Sequence, residues 1–445
     1  MEKNAPPSAI DVLQDAMKKA VTLGANAVDL LFVESKSIAV TSRMVRPENV
    51  VHAERTNIDL RVFVGKRSAA VSSNSLRELE TGTILEMAIA AAENSPEEQS
   101  KSRALESELC RNFKKIDLYD PCEVSVDKLQ ADAQECESIA LQVPGVTNSE
   151  GARAQHSVSR TILLKSCGFL GEYRRSVNAI SLEMLAEKDG ELQQDYDYSS
   201  TVYYADRKTP AEIAATAASR AVRKLGSRKI KSCRVPVIFH QRVGRSLLKS
   251  LLTALNGAQV VNGGSFLQSK LNQKIFGNGV SVFDHYDLAR RLRSCPFDVD
   301  GVECQNTNLI SSGVLNSFLF NVKYGDKMGM PSSGNAAGWD LIAPHNADFG
   351  NGEASFDDLV KNVGRGLFVT TVLGQGLNMV TGNYSQGASG FWIENGEIQH
   401  GVQEITIAGN FLDMFSNCVL GNDLEVESGF GSPTILVEKM TLGGL

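Results

Sequence analysis

The run Val237-Ile238-Phe239-His240-Gln241-Arg242-Val243-Gly244-Arg245 carries the most chemically suggestive spacing in the chain. A histidine at the mouth of a helix, followed by an acidic residue and then by a second histidine, is how many metallopeptidases hold zinc and activate water. Here the residue after His240 is Gln241, an amide that cannot accept a proton as general base near neutral pH. One turn on from His240 stands Gly244, and then Arg245, always protonated and without a lone pair for a metal. The spacing therefore predicts the scaffold of a metal site without its ligands. His240, Gln241 and Arg245 mark degenerate motif positions, and no catalytic residue, metal ligand or cofactor-binding residue is expected in this chain.

No other motif supplies the missing chemistry. His52, His156, His285, His345 and His400 are scattered singly and suggest no rescue cluster. The eight cysteines, at 110, 122, 136, 167, 233, 295, 304 and 418, include no Cys-x-x-Cys pair. That argues against a zinc ribbon or redox pair and for a reducing, cytoplasmic compartment. Asp298-Val299-Asp300-Gly301-Val302-Glu303 is too short for a calcium loop and reads as a hairpin turn. Ser332, Ser385 and Ser389 have no histidine or lysine fixed beside them, so a serine hydrolase is unsupported. Gly374-Gln375-Gly376 lacks the third glycine and the βαβ unit of a nucleotide loop.

The elements that must position the motif are legible from periodicity. Val243, Leu247, Leu251 and Leu255 recur every four residues with Leu248 and Leu252 beside them, predicting a helix with one buried face. Arg242, Arg245 and Lys249 fall off that stripe, and Asn256-Gly257 reads as the helix stop. Upstream, a helix capped by Ser8, a strand over 27–33, a strand over 57–64 turning at Gly65, and a helix over 76–92 make a first unit, 1–95. The Glu-, Ser- and Lys-rich run 94–114 reads as a linker or exposed excursion. A second unit, 96–230, repeats the plan. It has a helix over 126–141, strands over 154–165, 169–174, 179–186 and 192–198 with Asp189-Gly190 as a hairpin turn, and a helix from Thr209-Pro210 to about 225. Roughly three-quarters of the 38 glycines fall after Ala254, among short strands such as 279–283, 307–310, 317–320 and 401–407. The third unit, 231–445, is therefore expected to be glycine-rich, β-rich and barrel-like, and the whole chain α+β.

Composition sets broad limits. The 445 residues, 42% apolar and 22% charged, suit a soluble chain of two or three domains. A net charge of -7 makes nucleic acid an unlikely partner. The densest basic run, Arg220 to Lys231, is expected to close a helix. Met1-Glu2-Lys3-Asn4-Ala5-Pro6-Pro7 has no signal-peptide pattern, and no apolar run approaches the ~20 residues of a membrane span.

The longest informative blocks lie in the last third: 378–397, with Asn383-Tyr384-Ser385-Gln386-Gly387-Ala388-Ser389-Gly390-Phe391-Trp392, then 404–410 and 421–425. With Ser332-Ser333-Gly334-Asn335-Ala336, Pro296-Phe297-Asp298 and Asn148-Ser149-Glu150-Gly151, they closely resemble the TldD/PmbA family, in its PmbA (TldE) branch, over nearly the whole chain. The resemblance implies a metallopeptidase fold whose TldD branch reads His-Glu-x-x-x-His on the helix, with a third, cysteine ligand near the C-terminus. Laid on this chain, His240 matches the first His, Gln241 the Glu and Arg245 the second His. Between Leu424 and Pro433 there is no cysteine, and Cys418 lies on the wrong side of Gly421-Asn422-Asp423, as a small core residue.

The resemblance thus implies a non-catalytic subunit of a TldD-type metallopeptidase that degrades or matures peptides and unfolded chains, with zinc carried by the TldD-type partner and none in this chain. Alone, the chain is expected to self-associate as a homodimer. Two other readings stand beside it: an independent metallopeptidase with an atypical site, and a binding protein that modulates DNA gyrase.

Overall fold

The computed structural model describes residues 8–444. The segment Met1–Pro7, where no signal pattern was read, lies outside them. Among the described residues no helix is long and apolar enough to cross a membrane.

The chain begins with α1 (Ala9–Thr22), capped by Ser8, whose side chain accepts from the Asp11 N–H while the Asp11 carboxylate accepts from the Ser8 N–H. Three antiparallel strands follow: β1 (Ala27–Arg43), β2 (Arg46–Val64) and β3 (Arg67–Ser73). The helix expected over 76–92 is two, α2 (Leu76–Thr81) and α3 (Thr83–Glu93). Gly82, at φ +89°, breaks it where Lys19 from α1 reaches over to bond the Thr81 carbonyl at 2.6 Å.

Next come α4 (Val126–Leu141), β4 (Val146–Lys165), β5 (Leu170–Lys188), β6 (Glu191–Thr201) and α5 (Pro210–Arg223). The two strands expected at 169–174 and 179–186 are one, because β5 pairs with β4 without interruption through the polar stretch between them. Asp189 and Gly190, both at positive φ, make the predicted hairpin turn. Pairing of β1 with β4 joins all six strands in the order β3-β2-β1-β4-β5-β6.

The segments 1–95 and 96–230 thus contribute three strands each to one sheet. Its strands run to 20 residues, so the two helical layers occupy opposite ends of it. One core gathers Leu13, Leu30, Leu60, Leu85 and Ile162 under α1 to α3. The other gathers Val40, Leu129, Ile180, Leu182 and Ile213 under α4 and α5.

From residue 233 the architecture changes. The strand β7 (Cys233–Phe239) lies between the parallel strand Gly366–Leu373 and the antiparallel strand Ile435–Gly443. Asn383–Glu394 and Glu397–Asn410 continue the sheet, and pairing of Glu397–Asn410 with Ile435–Gly443 closes five strands into a barrel. A second sheet of six short strands stands beside it. Between them runs α6 (Gln241–Ala254), whose Val243, Leu247, Leu248, Leu251 and Leu252 join one core with Val237 and Val369 of the barrel and Leu309 and Phe349 of the second sheet. The expected α+β class, with a barrel in its glycine-rich part, describes this fold.

α6 stops at Ala254, just before the expected Asn256-Gly257, and Asn256 then caps a further short helix, Gly257–Val261, accepting from the Ala258 N–H. Two local expectations are corrected. Residues 317–320 form no strand beyond a single bridge at Leu319. The run 94–114 is docked rather than an exposed excursion: Ala104 and Cys110 are buried, and the Cys110 N–H bonds the Gly301 carbonyl at 2.8 Å. Arg103 turns inward, 3.4 Å from the buried Asp29, and Ala104 and Leu109 pack against Val302 and Val322 of the C-terminal part, while Leu105 stays exposed.

Candidate functional site

The helix mouth is built by the barrel. The His240 N–H continues the pairing of β7 with its parallel neighbour, bonding the Val369 carbonyl at 3.0 Å. The His240 carbonyl then accepts from the N–H groups of Val243 and Gly244, starting α6. The imidazole completes the cap, with Nδ1 accepting from the Arg242 N–H at 3.1 Å. One ring lone pair is therefore spent on the helix. Burial first, and then the charges of Arg220, Arg242 and Arg245, hold the imidazole pKa down at about 3.

That depression has a sign. An unfolded histidine takes its proton near pH 6.5, whereas folded His240 resists until about 3. The contribution is fully present above about pH 6.5 and is lost as pH falls, at up to about 1.4 kcal/mol per pH unit. His240→Asn keeps a good cap acceptor and removes the titration. Its stability, by urea unfolding, is expected to fall less than the parent's between pH 8 and pH 4.5. Parallel pH profiles for the two proteins would refute this.

Gln241 is hydrogen-bonded to a carboxylate, and Arg245 faces one without a hydrogen bond. The Gln241 Nε2 donates to Asp423 Oδ2 at 2.7 Å, and the same carboxylate accepts from the Thr434 N–H and hydroxyl. Arg245 was expected off the buried stripe, yet it is only 7% exposed. The hairpin of strands Glu425–Glu427 and Phe430–Ser432 covers that side of α6, and Arg245 Nη1 lies 3.6 Å from Glu425 Oε2. This hairpin is the segment 424–433 where the sequence lacks a cysteine. Gly244 lets it approach: a Cβ there would run into Ser432 Oγ. The structure thus brings the motif positions and the cysteine-free segment together.

A cavity of about 60 Å³ beside His240 is lined by Arg220, Arg223, Lys224 and Arg242, with Asp195 the sole carboxylate among its lining residues. Asp195, on β6, accepts from both Arg242 Nη1 and Nη2, at 2.6 and 3.2 Å, and lies 2.7 Å from Lys224 Nζ. Despite burial, which raises it, its pKa is drawn down to about 2 by Arg242 and then Lys224. Sequence reasoning missed Asp195 and Asp423, which lie 47 and 182 residues from their partners.

A divalent metal does not fit here. One histidine nitrogen is spent on the cap, the neighbouring positions are an amide and a guanidinium, and four cations line the cavity. Cys418, as expected, is a partly buried core residue. The histidines are not all solitary, however: His345 stands against Cys295 and Cys304, residues that sequence spacing left unconnected.

Known proteins resemble this chain along its length. Models of the three PmbA/TldA metallopeptidase domains match it: domain 1 over residues 28–95, the central domain over 119–225 and the C-terminal domain over 232–444. The protein named metalloprotease PmbA from Escherichia coli O157:H7 is 31% identical over 438 residues, 97% of this chain and 96% of that one. The PmbA homolog of Haemophilus influenzae is also 31% identical, over 96% of this chain and 94% of its own. A crystal structure from Thermotoga maritima, described as a candidate modulator of a DNA gyrase, superposes with a TM-score of 0.88 at 25% identity, covering 98% of this chain and 100% of that one. TldE from Thermococcus kodakarensis has the same fold, with a TM-score of 0.86 at 19% identity over 97% of this chain and 100% of its own.

Proposed function

The chain belongs to the PmbA/TldA metallopeptidase family, and within it we propose that this protein is the non-catalytic, TldE-like partner of a TldD-type subunit. The observation that supports this reading is the occupancy of the motif. His240 caps its helix, Gln241 is bonded to Asp423, Arg245 is paired with Glu425, and the hairpin over α6 offers no thiolate. The catalytic zinc belongs to the partner. This subunit supplies part of an enclosed chamber, where strand edges hold an extended peptide or unfolded chain by backbone pairing. The complex degrades or matures such peptides in the cytoplasm, a setting consistent with eight unbonded cysteines. Without its partner the chain pairs with itself through the C-terminal part. Gyrase modulation is a description of a solved relative, and a net charge of -7 gives direct DNA contact little support.

Co-expression with the TldD-type protein of the same organism tests the proposal. We expect a stable mixed complex that cleaves unfolded chains, sensitive to chelation, while this chain alone cleaves nothing. Chelator-sensitive cleavage by the isolated chain would establish the rival reading, an independent peptidase.

A further inference from the structure

The strongest unassigned cluster lies away from the helix mouth, where two loops of the C-terminal part converge. Cys295 and Cys304 flank the tight turn through Asp298 to Val302, and His345 leads into the strand Asn346–Phe349. Cys295 Sγ is 3.8 Å from Cys304 Sγ and 3.5 Å from His345 Nδ1, and all three donor atoms lie within 4.8 Å of one another. A tetrahedral zinc ion, with Zn–S near 2.3 Å and Zn–N near 2.0–2.1 Å, separates two sulfurs by about 3.8 Å and a sulfur from a nitrogen by about 3.6 Å. Two edges of that tetrahedron are already present.

The surroundings orient the donors. His345 Nε2 lies 3.0 Å from the Gly334 carbonyl. With Nε2–H donating there, the Nδ1 lone pair is left facing the sulfurs, as in metal sites whose histidine is fixed by its far nitrogen. The backbone is fixed too. Arg293 donates to the carbonyls of Pro344, at 2.8 Å, and His345, at 3.0 Å, and the Cys295 N–H bonds the Tyr286 carbonyl at 3.0 Å. Cys304 and His345 are 2% and 5% exposed. Cys295 and His345 border a cavity of about 230 Å³, with Tyr173, Arg175 and Asn335 on its other walls, which gives an ion a way in and leaves a fourth position for water.

We propose that Cys295, Cys304 and His345 bind one zinc ion, through two thiolates and one neutral imidazole. Binding displaces the two thiol protons, and the thiolates balance the ionic charge. The ion ties the loop 286–304 to the loop 334–345. It also lies behind Arg293, whose guanidinium stacks on Phe430 of the hairpin over α6. The site is independent of the degenerate motif; the expectation of a metal-free chain rested on that motif and on histidines and cysteines whose spacing in sequence showed no cluster, which the fold nonetheless brings together. A disulfide is the competing use of two thiols 3.8 Å apart, but it gives His345 no role.

The test uses the full chain, purified under reducing conditions. Elemental analysis is expected to find one zinc per chain. Cobalt(II) added after zinc removal is expected to give sulfur-to-cobalt charge-transfer absorption with the intense visible bands of a tetrahedral site. Cys304→Ser and His345→Ala should each weaken zinc binding at least 100-fold, while His240→Asn leaves it unchanged. Because the cobalt spectrum of the parent reports sulfur ligation directly, a variant that fails to fold does not remove the test. Any of three results would overturn the proposal: no zinc and no cobalt–sulfur band in the reduced parent, full zinc retention in the Cys295→Ser/Cys304→Ser double variant, or a Cys295–Cys304 disulfide that protects both thiols from alkylation. None of these bears on the peptidase assay, so this proposal and the subunit role fail separately.

Discussion

Replacing Asp195 by alanine is expected to destabilise the fold by about 3–5 kcal/mol, the usual cost of stranding the partner of a buried ion pair. The carboxylate is 3% exposed and holds two cations, Arg242 at the start of α6 and Lys224 just beyond α5. Without it, Lys224 and Arg242 would lose their shared carboxylate while facing Arg223 and Arg220 across a small cavity, where Arg220 alone keeps a partner, Asp197, at 3.0 Å. The contact also joins the first sheet to the barrel, since Asp195 is on β6 and Arg242 also bonds the Thr370 carbonyl at 2.9 Å. Urea unfolding followed by the fluorescence of the two tryptophans, Trp339 and Trp392, would measure the loss. Asp195→Asn, which keeps the shape and one acceptor, should fall between. The pH dependence has a defined direction: with a folded pKa near 2, the pair's contribution is complete above about pH 4 and fades as pH drops toward 2. A loss under 1 kcal/mol for the alanine variant would mean that water reaches these cations and that the cavity is not closed.

The double variant Gln241→Glu/Arg245→His restores the motif in sequence but is expected to restore neither zinc nor cleavage. A glutamate at 241 would face Asp423 where the amide now donates at 2.7 Å, so the two carboxylates would share a proton and titrate as a pair. A proton-sharing carboxylate is a poor general base near neutral pH. Losing the Gln241 bond costs about 1–3 kcal/mol by itself. A histidine at 245 leaves Glu425 and the buried Glu427 without their nearest guanidinium. The cations around His240 remain. Measured in a Cys304→Ser background, bound zinc reports on the helix site alone, and we expect none at micromolar metal and no peptide hydrolysis. Vigorous, chelator-sensitive hydrolysis would mean that the hairpin can supply a third ligand other than cysteine. Adding a cysteine-bearing segment between Leu424 and Pro433 should raise metal affinity before any turnover is seen.

Much of this was readable because it is local. The capping of α1 and α5, the hairpin at Asp189-Gly190 and the apolar stripe of α6 depend on residues within a turn or two of each other. The degenerate motif was readable for the same reason, and its meaning came from family resemblance. What escaped was tertiary. Helical periodicity places Arg245 away from the leucine stripe, but cannot reveal that a hairpin 180 residues later covers that side too. Nor does spacing of nine residues and then forty-one connect Cys295, Cys304 and His345, since loops, unlike helices, have no period from which proximity follows. The break at Gly82 depended on a lysine of another helix.

The closure of the barrel also dictates an order of events during synthesis. Its first strand, β7, is made long before Ile435–Gly443, the strand that lies against it and against Glu397–Asn410. At roughly 5–20 residues per second, about 10–40 s separate the two. The six-stranded sheet, complete by Thr201, can assemble in that interval, but β7 and Glu397–Asn410 each keep a bare edge until the closing strand emerges. Unpaired edges of this kind recruit other chains. A ribosome stalled after Asn410 and before Ile435 therefore holds four of the five barrel strands with two bare edges, and slow translation of that stretch favours aggregation.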